Sequence, residues 1–111
     1  MPRGGGLLPD AGTLLALLER ATGRRPEGVL GKPNPAFLAY ALGELGLEPE
    51  ACLYVGDRLE VDVPFALEAG VRAALVLTGA TRPEDPRIKE VQAQGVLVVR
   101  DLGELKERLW P

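Results

Sequence analysis

Two aspartates, Asp57 and Asp62, stand five positions apart directly after an apolar run that ends at Gly56. The run, 51–55, is interrupted only by Cys52 and Tyr54 and has the composition of a buried strand. Two carboxylates delivered at a strand's end suit a hard cation, because Mg²⁺ takes oxygen ligands and keeps waters in its other positions. In open α/β sheets that end is also where ligands bind. Farther upstream, Lys32 sits in the turn Lys32-Pro33-Asn34-Pro35. Asn34 can cap the helix that follows and Pro35 can occupy its first position. An ammonium beside unpaired helix N–H groups makes an anion site, for which phosphate is a common occupant. Thr78 and Thr81, after a later strand, are further candidates for contacts to phosphate oxygens.

Each of these residues also fits a plainer reading. Carboxylates in the first turn of a helix are stabilised by its positive end, so Asp57 and Asp62 can serve as charge-matched caps. A lysine in a proline-rich turn can simply be solvated. The composition narrows the chemistry. No histidine and no serine occur, which removes imidazole-based triads, the usual zinc sites and serine nucleophiles. Any catalysis would have to run on carboxylates, lysine and a metal. The net charge of −3, with 13 Lys and Arg scattered along the chain, argues against a nucleic-acid surface. One cysteine cannot form an internal disulfide, and Cys52 reads as a small apolar side chain in a reducing, cytoplasmic setting. No apolar stretch approaches the length of a membrane span, and the first six residues do not form a signal peptide. Abundant Arg, Pro and Glu with few amide side chains suggest a thermophilic source.

A single domain of 111 residues must position these groups. Residues 1–9, rich in Gly and Pro, read as irregular. Asp10 or Thr13 caps a helix over about 11–22, with Leu14, Leu15, Leu18 and Ala21 as its apolar stripe and Gly23 as its stop. Residues 28–31 form a short candidate strand. A second helix spans about 35–45, with Leu38, Leu42 and Leu45 facing the core and Gly46 ending it. After the strand at 51–55 and the acidic turn comes a helix near 62–69, directing Val63, Ala66 and Leu67 inward and closing at Gly70. The strand 71–77, a loop 78–81, a helix near 86–93, a strand 96–99 and a helix 101–109 follow. Alternating strands and helices predict a parallel sheet with helices on both faces.

The segments Gly31-Lys32-Pro33-Asn34-Pro35, Gly56-Asp57-Arg58-Leu59-Glu60-Val61-Asp62, Ala69-Gly70-Val71 and Val76-Leu77-Thr78-Gly79-Ala80-Thr81 together resemble the haloacid dehalogenase (HAD) superfamily. The resemblance is nearest to its branch of p-nitrophenyl phosphatases and phosphoglycolate-phosphatase-like enzymes, and it runs from about Leu7 to Leu109. It implies an α/β, Rossmann-like (HAD-like) fold and Mg²⁺-dependent hydrolysis of phosphomonoesters through an aspartyl-phosphate. It also implies roles for single residues. Lys32 would be the catalytic lysine that steadies phosphate, with Asn34 beside it. Asp57 would bind Mg²⁺ and Asp62 would support that metal site.

The chain departs from the family pattern in its missing parts. The nucleophile and general acid of the family come from a DxD turn, and no DxD occurs here. Asp10-Ala11-Gly12-Thr13 echoes such a turn without its second aspartate or a preceding strand. A cap domain, which sets selectivity in this branch, is absent as well. The resemblance thus covers the carboxyl-terminal half of a phosphatase, incomplete relative to the full fold. In the family sheet the nucleophile-bearing strand lies beside the strand that ends at Asp57. Without it, 51–55 becomes an open edge with unpaired N–H and C=O groups. The expectation is a homodimer through that edge, or a partner chain supplying the missing half. A non-catalytic, oligomerising α/β module and a split phosphatase remain the alternatives to a phosphatase fragment.

Overall fold

The computed structural model describes residues 9–110 and the backbone of Pro2–Arg3 and Gly6–Leu7. These two short segments, β1 (Pro2–Arg3) and β2 (Gly6–Leu7), pair antiparallel, where the sequence suggested irregular chain. The remaining residues up to 8, and Pro111, lie outside the described residues.

The central sheet is parallel, with β3 (Leu53–Gly56), β4 (Arg72–Val76) and β5 (Leu97–Val99) in that spatial order. Leu53 lies opposite Arg72 and Gly56 opposite Leu75, while Ala74 lies opposite Leu97. The alternation of strand side chains sorts the core into two layers. Ala73 and Leu75 face one side, packed with Leu59, Val63 and Ala66 of α3 (Leu59–Glu68), Val91 of α4 (Ile88–Ala93) and Leu42 of α2 (Ala36–Leu45). Ala74, Val76 and Val99 face the other side, against Leu105 of α5 (Leu102–Leu109). Helices therefore cover both faces, as the alternating pattern predicts. Leu75 and Val99 are the largest fully buried side chains. Truncating Leu75 to alanine would cost about 2–5 kcal/mol, the range for a large side chain lost from a closed core.

Helix ends follow local chemistry in most places. Asp10 caps α1 (Ala11–Thr22), accepting from the amides of Gly12 and Thr13, and Gly23 ends it at φ 69°. Gly46 ends α2 at φ 66°, a left-handed turn that favours glycine. Asp101 caps α5 through the Glu104 amide at 2.8 Å. The exception is α3, which begins at Leu59 rather than near 62. Its first amides are held by Asp62, reaching back from the first turn, and by Thr81 from another loop, rather than by a side chain at the capping position.

Two further expectations are corrected. Residues 28–31 form no strand: Val29 and Leu30 are exposed, and no strand among the described residues offers them a ladder. The apolar stripe of α1 is not buried either. Leu14, Leu17 and Leu18 are each about 60% exposed, and α1 has no residue in the core. Leu45, expected inside, is exposed, whereas Leu42 is buried and Leu38 packs at the core's margin.

Candidate functional site

The site forms where the carboxyl ends of β3 and β4 open into loops, approached by the turn ahead of α2. Asn34 braces that turn. Its Oδ1 accepts from the Ala36 amide at 2.9 Å, and its Nδ2 donates to the Val29 carbonyl. Its own amide donates to the Gly31 carbonyl at 3.0 Å. Asn34 is thus engaged within the turn it shapes, and this turn aims Lys32 across 30 positions of sequence at the acidic loop.

Lys32 Nζ donates to Asp62 Oδ1 at 2.9 Å. The second oxygen of Asp62 accepts from the amides of Asp57, at 3.1 Å, and Arg58, at 2.9 Å. Asp62 is 4% exposed, so these three donors are what make a carboxylate tolerable there. Burial alone would raise its carboxyl. The Lys32 ammonium and the Arg58 and Asp57 amides outweigh that and hold it below the ordinary aspartate range. Reciprocally, the hydrogen bond to Asp62 raises the Lys32 ammonium above the usual lysine value, against the opposing effect of its own burial. The Tyr54 ring lies 6.0 Å from that ammonium, and Phe65 meets the Tyr54 ring edge-on, with centroids 5.1 Å apart. Gly56 is required by this packing, because a Cβ there would overlap the Asp62 carboxyl.

Asp57 stands at the end of β3 and is used differently. Its Oδ2 accepts from the Ala80 amide at 3.0 Å, and its carbonyl accepts from the Thr81 amide at 3.0 Å. Among the described residues no donor reaches its Oδ1, which leaves that oxygen for a ligand. Thr81 is 4% exposed and its Oγ1 accepts from the Leu59 amide at 3.0 Å. Of the two hydroxyls offered as candidates for phosphate, that of Thr81 is therefore buried in a contact with the first turn of α3, while Thr78 is exposed.

Lys32, Asn34, Asp57 and Asp62 thus fall into one region with distinct duties. Lys32 and Asp62 form an ion pair, Asn34 shapes the lysine's turn, and Asp57 offers one unpaired carboxylate oxygen. No group of three or more His, Cys, Asp or Glu that could hold a metal by itself occurs among the described residues. The donor set fits a share of a Mg²⁺ shell, since that ion binds through one or two carboxylates and retains waters. A separate surface cluster joins Arg87 to Asp85 at 2.6 Å and to Glu60 at 3.6 Å. The Arg87 guanidinium holds the Asp85 carboxyl at about 2. Among the described residues no helix is long and apolar enough to cross a membrane.

Comparison with known proteins matches this geometry to a family. The phospholysine phosphohistidine inorganic pyrophosphate phosphatase of Xenopus laevis is 43% identical over 90 residues, covering 81% of this chain and 33% of its own length. Among solved structures, the 4-nitrophenylphosphatase of Thermotoga maritima superimposes with a TM-score of 0.77 at 39% identity, covering 96% of this chain and 40% of that one. A glycerol phosphate phosphatase of Mycobacterium tuberculosis, solved in complex with magnesium, superimposes with a TM-score of 0.60 at 42% identity, covering 73% of this chain and 24% of that one. The chain spans about a third of the length of the curated relatives it matches. The family model for HAD-like hydrolases matches residues 29–105, from the turn that carries Lys32 to α5. The chain belongs to the HAD-like hydrolase family.

Proposed function

We propose that this chain supplies the lysine and metal-binding acids of a Mg²⁺-dependent phosphomonoester phosphatase. The observation that carries the reading is the convergence of Lys32, locked to Asp62 at 2.9 Å, with the free Oδ1 of Asp57 on one turn. Asp57 would hold the ion, and Asp62 would support the site from behind by fixing both Lys32 and the Asp57 amide. Mg²⁺, when bound, supplies charge neutralisation for phosphoryl oxygens. Lys32 is the phosphate-binding and catalytic lysine, its ammonium half-exposed toward the loop edge. Asn34 acts on phosphate through the turn that presents Lys32 and the amides beside it. The names of the relatives support phosphatase chemistry, and two of them, a 4-nitrophenylphosphatase and a glycerol phosphate phosphatase, name phosphomonoesters.

No DxD turn occurs in the sequence, so the attacking group has to come from elsewhere. The 111-residue chain by itself should bind Mg²⁺ weakly and hydrolyse essentially nothing. The test is a generic phosphomonoester assay with Mg²⁺: turnover that disappears in Asp57→Ala would overturn this division of labour.

A specific observation supports a partner. All four residues of β3 are only half-buried, and among the described residues β3 pairs on one side alone, with β4. Strands of parallel sheets are normally covered on both sides, and an open edge invites another strand. We place a second copy of this chain there, making a homodimer, with a partner chain carrying the missing half as the alternative. Mass in solution, with and without a chain bearing a DxD strand, separates the two. A non-catalytic module would give the same dimer with no response to Mg²⁺.

A further inference from the structure

The loop after β4 makes contacts that a substrate-binding loop does not need. Its Gly79 Cα lies against the Asp57 carboxylate so closely that a Cβ would overlap it. The next amide, Ala80, donates to Asp57 Oδ2, and the one after, Thr81, donates to the Asp57 carbonyl. The Thr81 hydroxyl is turned inward onto the Leu59 amide, the first of α3, so the loop is tied to both sides of the acidic turn. Residue 81 lies 22 positions from residue 59, and the hydrogen bond between them is buried.

We propose that Thr81 is a positioning residue for the metal-binding carboxylate: through Leu59 and Ala80 it locks Asp57 with Oδ2 engaged and Oδ1 alone presented to the cation. This rests on the metal reading of Asp57 given above. The physical logic is that a carboxylate free to rotate loses orientation entropy on binding an ion, and one held by a neighbouring amide has already lost it. Holding one oxygen also favours single-oxygen ligation, the mode suited to the small, strictly octahedral Mg²⁺. Partners that orient a ligand in this way are worth about 10–100-fold in metal affinity. Gly79 is part of the same device, since only a residue without a side chain lets the loop approach Asp57 so closely.

The test compares wild type with Thr81→Val, Thr81→Ser and Gly79→Ala. Two readouts are taken: the Mg²⁺ concentration that half-saturates the thermal shift, and amide hydrogen exchange at Leu59 and Ala80 without metal. Thr81→Val keeps the volume and removes the acceptor, so it should raise the half-saturating Mg²⁺ about tenfold or more and release both amides to exchange. Thr81→Ser restores the oxygen and should bind within about threefold of wild type, with both amides protected. Gly79→Ala should weaken Mg²⁺ while leaving the Leu59 amide protected, which separates misplacement of Asp57 from general unfolding. Thr81→Val with wild-type Mg²⁺ dependence, or with the Ala80 amide still protected, would overturn the proposal. Should wild type itself show no Mg²⁺ response, the metal reading falls. The exchange data then decide the positioning claim alone: protection lost in Thr81→Val and kept in Thr81→Ser upholds it, and any other pattern defeats it.

Discussion

Replacing Asp62 by alanine should be one of the most damaging single changes at the site, even before any ligand is considered. The side chain accepts three hydrogen bonds, from Lys32 Nζ and from the amides of Asp57 and Arg58. Lys32 is 45% exposed and can be rehydrated, so its loss of a partner costs little. The two amides are part-buried at the junction of β3 and α3, and a buried donor without a partner costs about 1–3 kcal/mol. The substitution also relieves the cost of burying a carboxylate, which offsets part of the loss. The sum is about 2–4 kcal/mol, or a fall in midpoint of roughly 10–25 °C for a domain of this size. Asp62→Asn keeps an acceptor oxygen for the amides while removing the charge, and should cost about 1 kcal/mol. Lys32→Met in the Asp62→Asn background should then add almost nothing, because the pair is already broken. Urea unfolding of the four proteins without metal measures all of this. Asp62→Ala within about 0.5 kcal/mol of wild type would refute the idea that this carboxylate organises the turn.

Other outcomes follow from the same contacts. Asp62 has its carboxyl held below the ordinary 3.8, so its stabilisation is complete above that value and is lost as pH falls through the lower folded value. Thermal midpoints should therefore decline below about pH 4 in wild type and decline less in Asp62→Asn. Lys32, raised above 10.5, contributes fully below that pH and loses its contribution only as pH rises through its higher folded value; the midpoint difference between wild type and Lys32→Met should therefore stay constant from neutral pH to about 10. Gly56→Ala should cost more than about 2 kcal/mol by urea unfolding, since the new methyl overlaps the Asp62 carboxyl inside the closed turn. By contrast, Leu14→Lys and Leu18→Lys should each change stability by less than about 0.5 kcal/mol, because neither side chain is covered. A larger loss would show that α1 is covered in solution, which a self-associating chain would also reveal by its sedimentation.

The parts of the fold legible in the sequence are those whose causes are local. Asp10 with Gly23, and Asp101, bracket their helices by capping chemistry that a short window contains. The run from Val71 to Leu77 is apolar on both faces and became β4, the middle strand. The errors occur where the cause lies elsewhere in the chain. The start of α3 depends on Thr81, which reaches the Leu59 amide from a loop 22 positions away, as well as on Asp62 reaching back from the first turn. Residues 28–31 had strand composition but no strand to pair with. The stripe on α1 had helical spacing, and spacing does not reveal whether anything covers it. At the site, the residue types and the edge they share could be read in advance. Their division could not: the two aspartates look alike in sequence, yet one is sealed behind a lysine and the other presents a free oxygen.

The central claim is that Asp57 and its surroundings form a metal-competent half-site in this chain, and thermal unfolding with and without millimolar Mg²⁺ tests it most directly. An ion that binds only the folded state stabilises it by about 2.7 kcal/mol at a hundredfold excess over its dissociation constant. The account predicts a rise in midpoint with Mg²⁺ that disappears in Asp57→Asn. A folded chain whose midpoint ignores Mg²⁺, or whose response survives Asp57→Asn, would contradict it and leave the acidic turn as helix-capping scaffold.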